Sequence, residues 1–380
     1  EMTSSLVGSE MCIRDRSQYF ATFENSLTYT WILSDEDIEQ YGDDFQSAER
    51  VINGSGPWKF VEWQDGQYAR YTPNQNYWDP DAVSNIDTLN VWFVNQENAK
   101  VSGITSGNLD YTQSLRSDMV PLVENLEGVE VIEYTSDVMY YMQFDCAEDS
   151  IFSDPNARKA AAYALDVNTV LGLVGGGEKM NCMFLPSLLG YDESIEGYEY
   201  NPDLAREYLA KTDYNGEKLT LYTRNDLVAI DDVMAVFIQN LVDVGFNIST
   251  KICDSAEFVT IRQDPSAYDI FFVNLGAFDA DPYTLYIIPR IVNDTHNSYY
   301  HNEELNNLII DSYTTTDKTK REDELKQAAR IVYDECGPVL GLYASNSYCV
   351  IREGLEGVLV TKGAGPYFRY ASVDEAVWNK

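Results

Sequence analysis

The chain has 380 residues and a formal net charge of −36, so it is long enough to bury a sizeable core in about two or three domains. Such an acidic surface repels phosphate backbones, and the sequence contains no run rich in Lys and Arg, which argues against nucleic acid as a partner. No apolar run approaches the roughly 20 residues that a membrane-spanning helix needs. The many aromatic residues, 28 Tyr and 6 Trp, predict a globular protein.

The first residues are set apart from the rest. Residues 6–16 follow no helical or strand periodicity and are similar to the translated end of a sequencing-library adapter. We therefore expect residues 1–16 to be an artefact and exclude them from fold reasoning, with an unusual native segment as the alternative. On this interpretation the true N-terminus is absent, including any signal segment or lipid-attachment cysteine.

The first predicted elements are a short helix and a hairpin. Residues 35–42 predict the helix, and the stretch 54–78 predicts a β-hairpin. Two glycines open that stretch, alternating residues follow, and Asp65-Gly66 supplies the turn. The next predicted elements are a strand (86–94), a helix (96–106) and two strands (129–135 and 138–145).

From residue 154 onwards, helices and strands alternate. Asp154 and Asn201 each precede a proline, which predicts a capped helix with proline at its first position. A continuous apolar run over 268–274 predicts a strand buried on both faces. This order implies a parallel or mixed sheet with right-handed crossovers. The predicted helices are 156–165, one after Asn201, 227–244, 254–262, 303–313 and 318–335, and the strands are 218–223, 247–252, 268–274, 339–343, 347–351 and 355–360.

Cysteine and histidine give little support to metal or redox chemistry. The six cysteines have no metal-like spacing, and we expect buried free thiols, with Cys336 and Cys349 as the one pair worth testing for a disulfide. Only His296 and His301 are available, which argues against zinc and against histidine-dependent catalysis. We expect no cofactor and no metal.

Three segments resemble a known family. The string from Gly54 to Trp78, which ends in Asn-Tyr-Trp, resembles the signature of extracytoplasmic solute-binding proteins of family 5, the peptide-, dipeptide- and nickel-binding receptors of ABC importers. The Gly-Asn-Leu-Asp-Tyr segment at 107–111 resembles the family's Gly-x-Val-Asp step. The segment 157–166 resembles its Val-Arg-x-Ala-x-x-x-Ala-Ile-Asp helix. The resemblance runs from about residue 45 to about residue 370.

This resemblance implies an α/β, bilobal fold of the periplasmic-binding-protein type II, with mixed sheets flanked by helices and two lobes joined by crossing strands. We expect lobe I at 17–140 and 345–380, incomplete because its N-terminal strands are missing, and the second lobe at 141–344. The implied function is hinged closure on a solute in the interlobe cleft, with no catalysis. The implied partners are permease subunits. The implied location is extracytoplasmic, either periplasmic or lipid-anchored, and the protein is expected to be a monomer.

The resemblance also implies a set of ligand-binding residues. The family's contact loop reads Gly-Trp-x-x-Asp-x-x-Asp-Pro and follows the buried strand. Here Leu275 holds the Trp position, Phe278 holds the position of the Asp that pairs with a peptide's ammonium group, and Asp279 lies one place later. Asp279 either contacts the ligand or is a buried, solvated or helix-capping residue. The expected ligand-binding residues are Asn274, Leu275, Gly276, Ala277, Phe278 and Asp279 of this loop, with Tyr140, Tyr141 and Tyr343 of the crossing strands.

The ligand class stays open at this point. A short peptide is the first expectation, bound in extended form like an added strand. An oligosaccharide is the nearest alternative, since aromatic residues are abundant and the Asp that pairs with a peptide's ammonium group is replaced by Phe278. A metal chelate would depend on the two histidines. A glycoside hydrolase would need two suitably spaced carboxylates, but an acidic chain offers many such pairs by coincidence.

Overall fold

The computed structural model describes residues 21–23, 27, 34–42, 53–82, 84–94, 96–264, 267–276, 281–282, 299–360 and 366–378. Contacts between Cα atoms divide the chain into two compact units. The larger unit contains 137–174 and 178–344 together with the described residues before 30, and the smaller unit contains the described residues of 30–136, 175–177 and 345–380. After the described residues before 30, the chain runs through the smaller unit, returns to the larger unit at Asp137 and, apart from 175–177, stays there until Ala344.

Twelve strands are found among the described residues. In chain order they are β1 (Trp58–Gln64), β2 (Tyr68–Pro73), β3 (Leu89–Trp92), β4 (Tyr111–Leu115), β5 (Val129–Phe144), β6 (Gly177–Lys179), β7 (Leu219–Arg224), β8 (Ile248–Cys253), β9 (Ile270–Gly276), β10 (Val339–Arg352), β11 (Leu355–Glu356) and β12 (Ser372–Val373).

The α-helices that the described residues form match most of the predicted ones. In chain order they are α1 (Asp35–Tyr41), α2 (Glu97–Thr105), α3 (Pro155–Ala164), α4 (Val167–Val174), α5 (Pro202–Leu209), α6 (Ile230–Val244), α7 (Ser255–Arg262), α8 (Glu303–Thr314), α9 (Lys318–Asp334) and α10 (Glu375–Trp378).

The smaller unit contains the predicted hairpin. β1 and β2 pair antiparallel, from Trp58 opposite Pro73 to Gln64 opposite Tyr68, and β3 adds to β2 as a third strand. Gly66 lies in the turn with a φ of 64°, a backbone conformation that glycine adopts without strain. In the same unit β4 pairs antiparallel with the end of β10.

The larger unit is built on a mixed sheet, as the sequence predicts. Its strand order is β10-β5-β9-β7-β8. β7 is parallel to both β8 and β9, whereas β5 is antiparallel to β9. The strand–helix–strand connections of β7, β8 and β9 run through α6 and α7, so the expectation of parallel strands joined by helical crossovers is confirmed.

Helices cover both faces of this sheet. On one face Phe272 of β9 packs against Phe237 of α6, and on the other Phe271 packs against Phe258 of α7. All four rings are nearly or completely buried. Burial on both faces explains why the strand reads as a continuous apolar run, and each buried ring contributes about 1.5–3 kcal/mol.

Helix caps follow the local sequence. The Asp154 carboxylate accepts a hydrogen bond from the Asn156 backbone N–H (2.7 Å), and the Asn201 side chain accepts one from the Leu204 N–H (3.0 Å). Both caps were predicted. The cap of α4 was missed: Asp166 accepts from the Thr169 N–H at 3.1 Å, a signal that the sequence did carry.

The long strands β5 and β10 differ from the prediction. Each was predicted as two strands, but each is continuous through the polar residues near 136–137 and 345–346. These polar residues find partners without breaking the strand: Asp137 accepts from the Ser187 hydroxyl (3.1 Å), and Thr135 donates to the Asn346 amide oxygen (3.3 Å). The last predicted strand, 355–360, is shortened to Leu355–Glu356.

Candidate functional site

The candidate site lies at the carboxyl-terminal edge of the parallel strands in the larger unit. Here β7 ends at Arg224, β8 at Cys253 and β9 at Gly276. Parallel strands leave their carboxyl ends on one edge of the sheet, which is where α/β sheets generally bind ligands. The sequence therefore brings together loop residues that lie far apart along the chain.

Polar side chains are linked across this edge. The Arg224 guanidinium donates to the Asn274 side-chain oxygen (3.1 Å), and its Nε lies 3.0 Å from a carboxylate oxygen of Asp226. The Ser255 hydroxyl is 3.2 Å from the other Asp226 oxygen. The Arg224 side chain is 25% exposed, so part of it stays accessible to a solute. A guanidinium, an amide and a carboxylate held in one cluster can bind and orient a polar ligand.

The antiparallel strand β5 extends the same edge on the other side of β9. Val138 is paired with Gly276, and the neighbouring residue Asp137 accepts from Ser187. An acidic group thus lies next to the end of β9 on one side, and a basic group lies on the other. The two groups thus belong to strands on opposite sides of β9.

Three of the six predicted loop residues lie in β9. Asn274 and Leu275 are half-buried and Gly276 is buried. Asn274 contacts Arg224, as described above, and Leu275 is paired with Met139 of β5. The predicted residues Ala277, Phe278 and Asp279 lie outside the described residues. The prediction of ligand contacts for all six stays a prediction.

The three predicted tyrosines lie within the sheet of the larger unit. Tyr140 stacks on Tyr343 with ring centroids 4.6 Å apart and an interplanar angle of 8°, and Phe272 packs beside both. Tyr141 lies on the opposite face, where it contacts Phe271 edge-on. None of the three is more than 5% exposed. All three tyrosines therefore pack against other aromatic rings in the sheet, and their predicted contacts with a ligand stay a prediction.

Burial changes the acidity of these tyrosines. It raises the pKa of Tyr141 to about 12 and holds that of Tyr343 well above its usual value. The Tyr343 hydroxyl is buried without a hydrogen-bond partner among the described residues. Both side chains are therefore neutral near pH 7.

Sequence reasoning missed Arg224, Asp226 and Ser255. Arg224 ends a strand with alternating residues and Asp226 follows two residues later. The location of both residues at a strand end could therefore be inferred from the sequence. The sequence did not reveal that β7 pairs in parallel with β9, and it is this pairing that brings Arg224 to Asn274.

The described residues give no sign of metal ligation or of a membrane span. None of their His, Cys, Asp and Glu side chains form a group of three suited to a metal ion. Within the same residues, no helix combines the length and the apolar character needed to cross a bilayer. His301 is exposed, and the five cysteines from Cys146 to Cys349 are buried free thiols. Burial raises the pKa of both Cys182 and Cys349 to about 11.

The fold defines a class of protein. The structure of the ABC transporter-associated periplasmic binding protein DppA from Helicobacter pylori, in complex with the peptide STSA, matches 93% of this chain and 70% of its own, with a TM-score of 0.76 and 20% identity. The chain thus has the bilobal α/β fold of the periplasmic binding proteins.

The family follows from the sequence. Residues 17–294 match the profile of the bacterial extracellular solute-binding proteins, family 5 Middle, and the chain belongs to that family. The oligopeptide-binding protein OppA of Bacillus subtilis is 29% identical over 94% of this chain and 68% of its own length. The oligopeptide-binding protein AppA of the same organism is 24% identical over 80% of this chain. The match spans only 59% of AppA.

Proposed function

We propose that this chain is the substrate-binding protein of an ABC importer and that its solute is a short peptide. The observation that carries the proposal is the family match over residues 17–294, together with two relatives that are both named oligopeptide-binding proteins. The role is capture and delivery of the solute, without catalysis. Its partners are the peptide and the permease subunits at the membrane.

The proposed ligand site is the carboxyl-terminal edge of β7 and β9. Asn274, Leu275 and Gly276 lead the chain out of β9, and the predicted contacts Ala277, Phe278 and Asp279 follow in sequence. Arg224 is the candidate anchor for the carboxylate of a peptide, because a guanidinium recognises a carboxylate with paired, charge-assisted hydrogen bonds. Contacts from Tyr140, Tyr141 and Tyr343 remain part of the proposal as secondary contacts.

We also propose a finer organisation of the protein. The two lobes are 17–140 with 345–380, and 141–344. The protein acts as a monomer outside the cytoplasm and is periplasmic or held at the membrane by a lipid. Hinge closure on the ligand stays a prediction, and small-angle scattering with and without peptide tests it: closure lowers the radius of gyration.

A thermal-shift screen tests the proposed ligand class. Peptides of two to five residues, the same peptides with blocked termini, and oligosaccharides are each added to the purified chain. A ligand at about 100 times its dissociation constant stabilises the folded state by ~2.7 kcal/mol, so a true ligand raises the Tm by several degrees. A shift with oligosaccharides and none with any peptide contradicts the proposed ligand class.

A further inference from the structure

A carboxylate lies directly beside the guanidinium of Arg224. The Asp226 Oδ1 is 3.0 Å from the Arg224 Nε, and the other Asp226 oxygen accepts a hydrogen bond from the Ser255 hydroxyl at 3.2 Å. The Arg224 Nε–H has no aligned hydrogen-bond acceptor among the described residues, so the two groups interact through their charges. The Asp226 side chain is 51% exposed, and its charge therefore acts on a solute as well as on Arg224.

Arg224 keeps hydrogen-bond donors for a ligand beside these neighbours. A guanidinium carries five N–H groups. Asn274 accepts from Nη2 at 3.1 Å and Asp226 lies at Nε, which leaves the Nη1 hydrogens and the second Nη2 hydrogen. These two nitrogens form an edge that pairs with a carboxylate through two parallel hydrogen bonds. A carboxylate bound to this edge lies within one Debye length of Asp226, about 10 Å at 0.1 M salt.

The carboxyl-terminal ends of β7 and β8 carry more acidic than basic residues. Segments 219–232 and 248–257, which contain the two strands and the turns and helix starts that follow them, hold five acidic and two basic residues. One of the bases, Lys251, is paired with Glu257 at 2.8 Å. Once a carboxylate occupies Arg224, these segments are left with an excess of negative charge. The acidic residues are Asp226, Asp231, Asp232, Asp254 and Glu257.

The side chain of a peptide's last residue enters this electrostatic field. It is attached to the same Cα atom as the terminal carboxylate, so it stays close to Asp226 when that carboxylate is bound to Arg224. Opposite charges attract and like charges repel over such distances, which favours a basic side chain and disfavours an acidic one. Specificity is the difference between the two affinities, and repulsion of the wrong ligand contributes to it.

We propose that Asp226 is a specificity-determining residue of the candidate site: its carboxylate makes the site prefer peptides that end in a basic residue over peptides that end in an acidic one. This inference rests on the proposed function, because it takes Arg224 as the anchor of the peptide carboxylate. Ser255 holds the Asp226 carboxylate in place through its hydroxyl.

Three tripeptides that differ only in their last residue test the inference by isothermal titration calorimetry: Ala-Ala-Lys, Ala-Ala-Gln and Ala-Ala-Glu. Each is titrated into the wild-type chain and into two full-length variants. Asp226→Asn removes the charge and keeps an oxygen that can accept from Ser255, at a side chain that is half exposed. Asp203→Asn is the matched control, since Asp203 also pairs with an arginine, Arg206 at 2.7 Å, but lies on α5.

The expected result is a preference that depends on one carboxylate. Wild-type protein should bind Ala-Ala-Lys about tenfold more tightly than Ala-Ala-Glu at about 50 mM NaCl, with Ala-Ala-Gln between them. In Asp226→Asn this ratio should fall by about threefold or more, because the like-charge repulsion of Ala-Ala-Glu is reduced. In Asp203→Asn the ratio should equal that of wild type. At about 500 mM NaCl the wild-type ratio should also fall, since salt screens these charges.

The outcomes separate this inference from the proposed function. Peptide binding without a preference for Lys over Glu, or with the same ratio in Asp226→Asn as in wild type, overturns the role of Asp226 and leaves peptide binding intact. An equal fall of the ratio in Asp203→Asn also overturns it, because the effect would then come from net charge and not from the site. If wild-type protein binds no peptide at all, the proposed function fails and the inference fails with it.

Discussion

Arg224 is the residue on which the proposed site depends most. It ends β7, contacts Asn274 of β9, and keeps a quarter of its side chain exposed. Asp226 is its close neighbour, so the guanidinium is partly neutralised and already oriented before a ligand arrives. A pre-oriented guanidinium loses less conformational freedom when it binds a carboxylate, which favours selective recognition of that group.

Substitution Arg224→Gln tests the carboxylate role. We expect the affinity for a peptide with a free carboxyl terminus to fall at least tenfold, because a charged partner of the carboxylate is lost. The affinity for the same peptide with an amidated terminus should change little. Isothermal titration calorimetry measures both. Arg206→Gln, an exposed arginine paired with Asp203 on α5, is the control and should bind like wild type. Equal losses for the free and amidated peptides would argue that Arg224 does not read the carboxylate.

Asp145 gives a prediction on pH dependence. Burial raises the pKa of its carboxyl from 3.8 to about 6; the charges of Asp149 and Asp269 add to the rise, and the hydrogen bond from the Ala147 N–H opposes it. The folded state therefore favours the protonated form, and its stability falls as pH rises from about 4 to about 6.

Asp145→Asn removes this titration while keeping an oxygen that can accept from Ala147. We expect the variant to be more stable than wild type by about 1–3 kcal/mol near pH 7.5, and the difference to vanish towards pH 4. Urea unfolding at a series of pH values measures the difference. A difference that is constant across this range would show that Asp145 is not the titrating group.

At the scale of single elements, local chemistry accounts for most of what the sequence predicted. The caps at Asp154 and Asn201 and the hairpin turn at Gly66 depend on neighbouring residues, and all three appear as predicted. The apolar run of β9 identified a strand buried on both faces. These features need no knowledge of the rest of the chain.

The features that the sequence did not predict depend on contacts between residues far apart in the chain. The continuity of β5 and β10 depends on partners such as Ser187 for Asp137, which lie 50 residues apart in the chain. The Arg224–Asn274 contact also spans 50 residues. A single sequence specifies neither the register nor the neighbour order of strands, so these contacts, and with them the candidate site, emerge only in the folded structure.

Gly341 of β10 packs closely against the backbone of Cys182 and Met183, and a substitution there tests this packing. A Cβ atom at this position would lie 2.5 Å from the Cys182 carbonyl oxygen and 3.1 Å from the Met183 Cα. Backbone atoms cannot move aside cheaply, so Gly341→Ala should destabilise the protein by about 1–3 kcal/mol in urea unfolding.

Gly172 provides the matched control for that substitution. It lies inside α4, and a Cβ atom there would meet nothing within 4 Å. Gly172→Ala should therefore stabilise the protein by about 0.5–1 kcal/mol, since alanine is the better helix former. Equal effects of the two substitutions would contradict the close packing at Gly341.

At the scale of the whole molecule, charge should dominate the response to salt. The chain carries 62 acidic and 26 basic residues, so repulsion among the excess negative charges destabilises the folded state. Raising the NaCl concentration from about 20 mM to about 300 mM shortens the Debye length to below 10 Å, and we expect the Tm to rise by several degrees. A Tm that falls or stays constant would mean that local ion pairs outweigh the net charge.

At the same scale, the family match assigns the chain to the bacterial extracellular solute-binding proteins of family 5. We propose that the solute is a short peptide, bound without chemical change. The Gly54–Trp78 segment was enough to predict the family from the sequence, whereas the proposed contact between Arg224 and Asn274 is seen only in the folded structure.

The most direct test of the account is calorimetric titration of the purified chain with the best peptide from the screen, followed by mass spectrometry of the recovered ligand. The account predicts saturable binding near one peptide per chain and recovery of the peptide with unchanged mass. Cleavage of the peptide, or saturable binding of an oligosaccharide in place of every peptide tested, would contradict it.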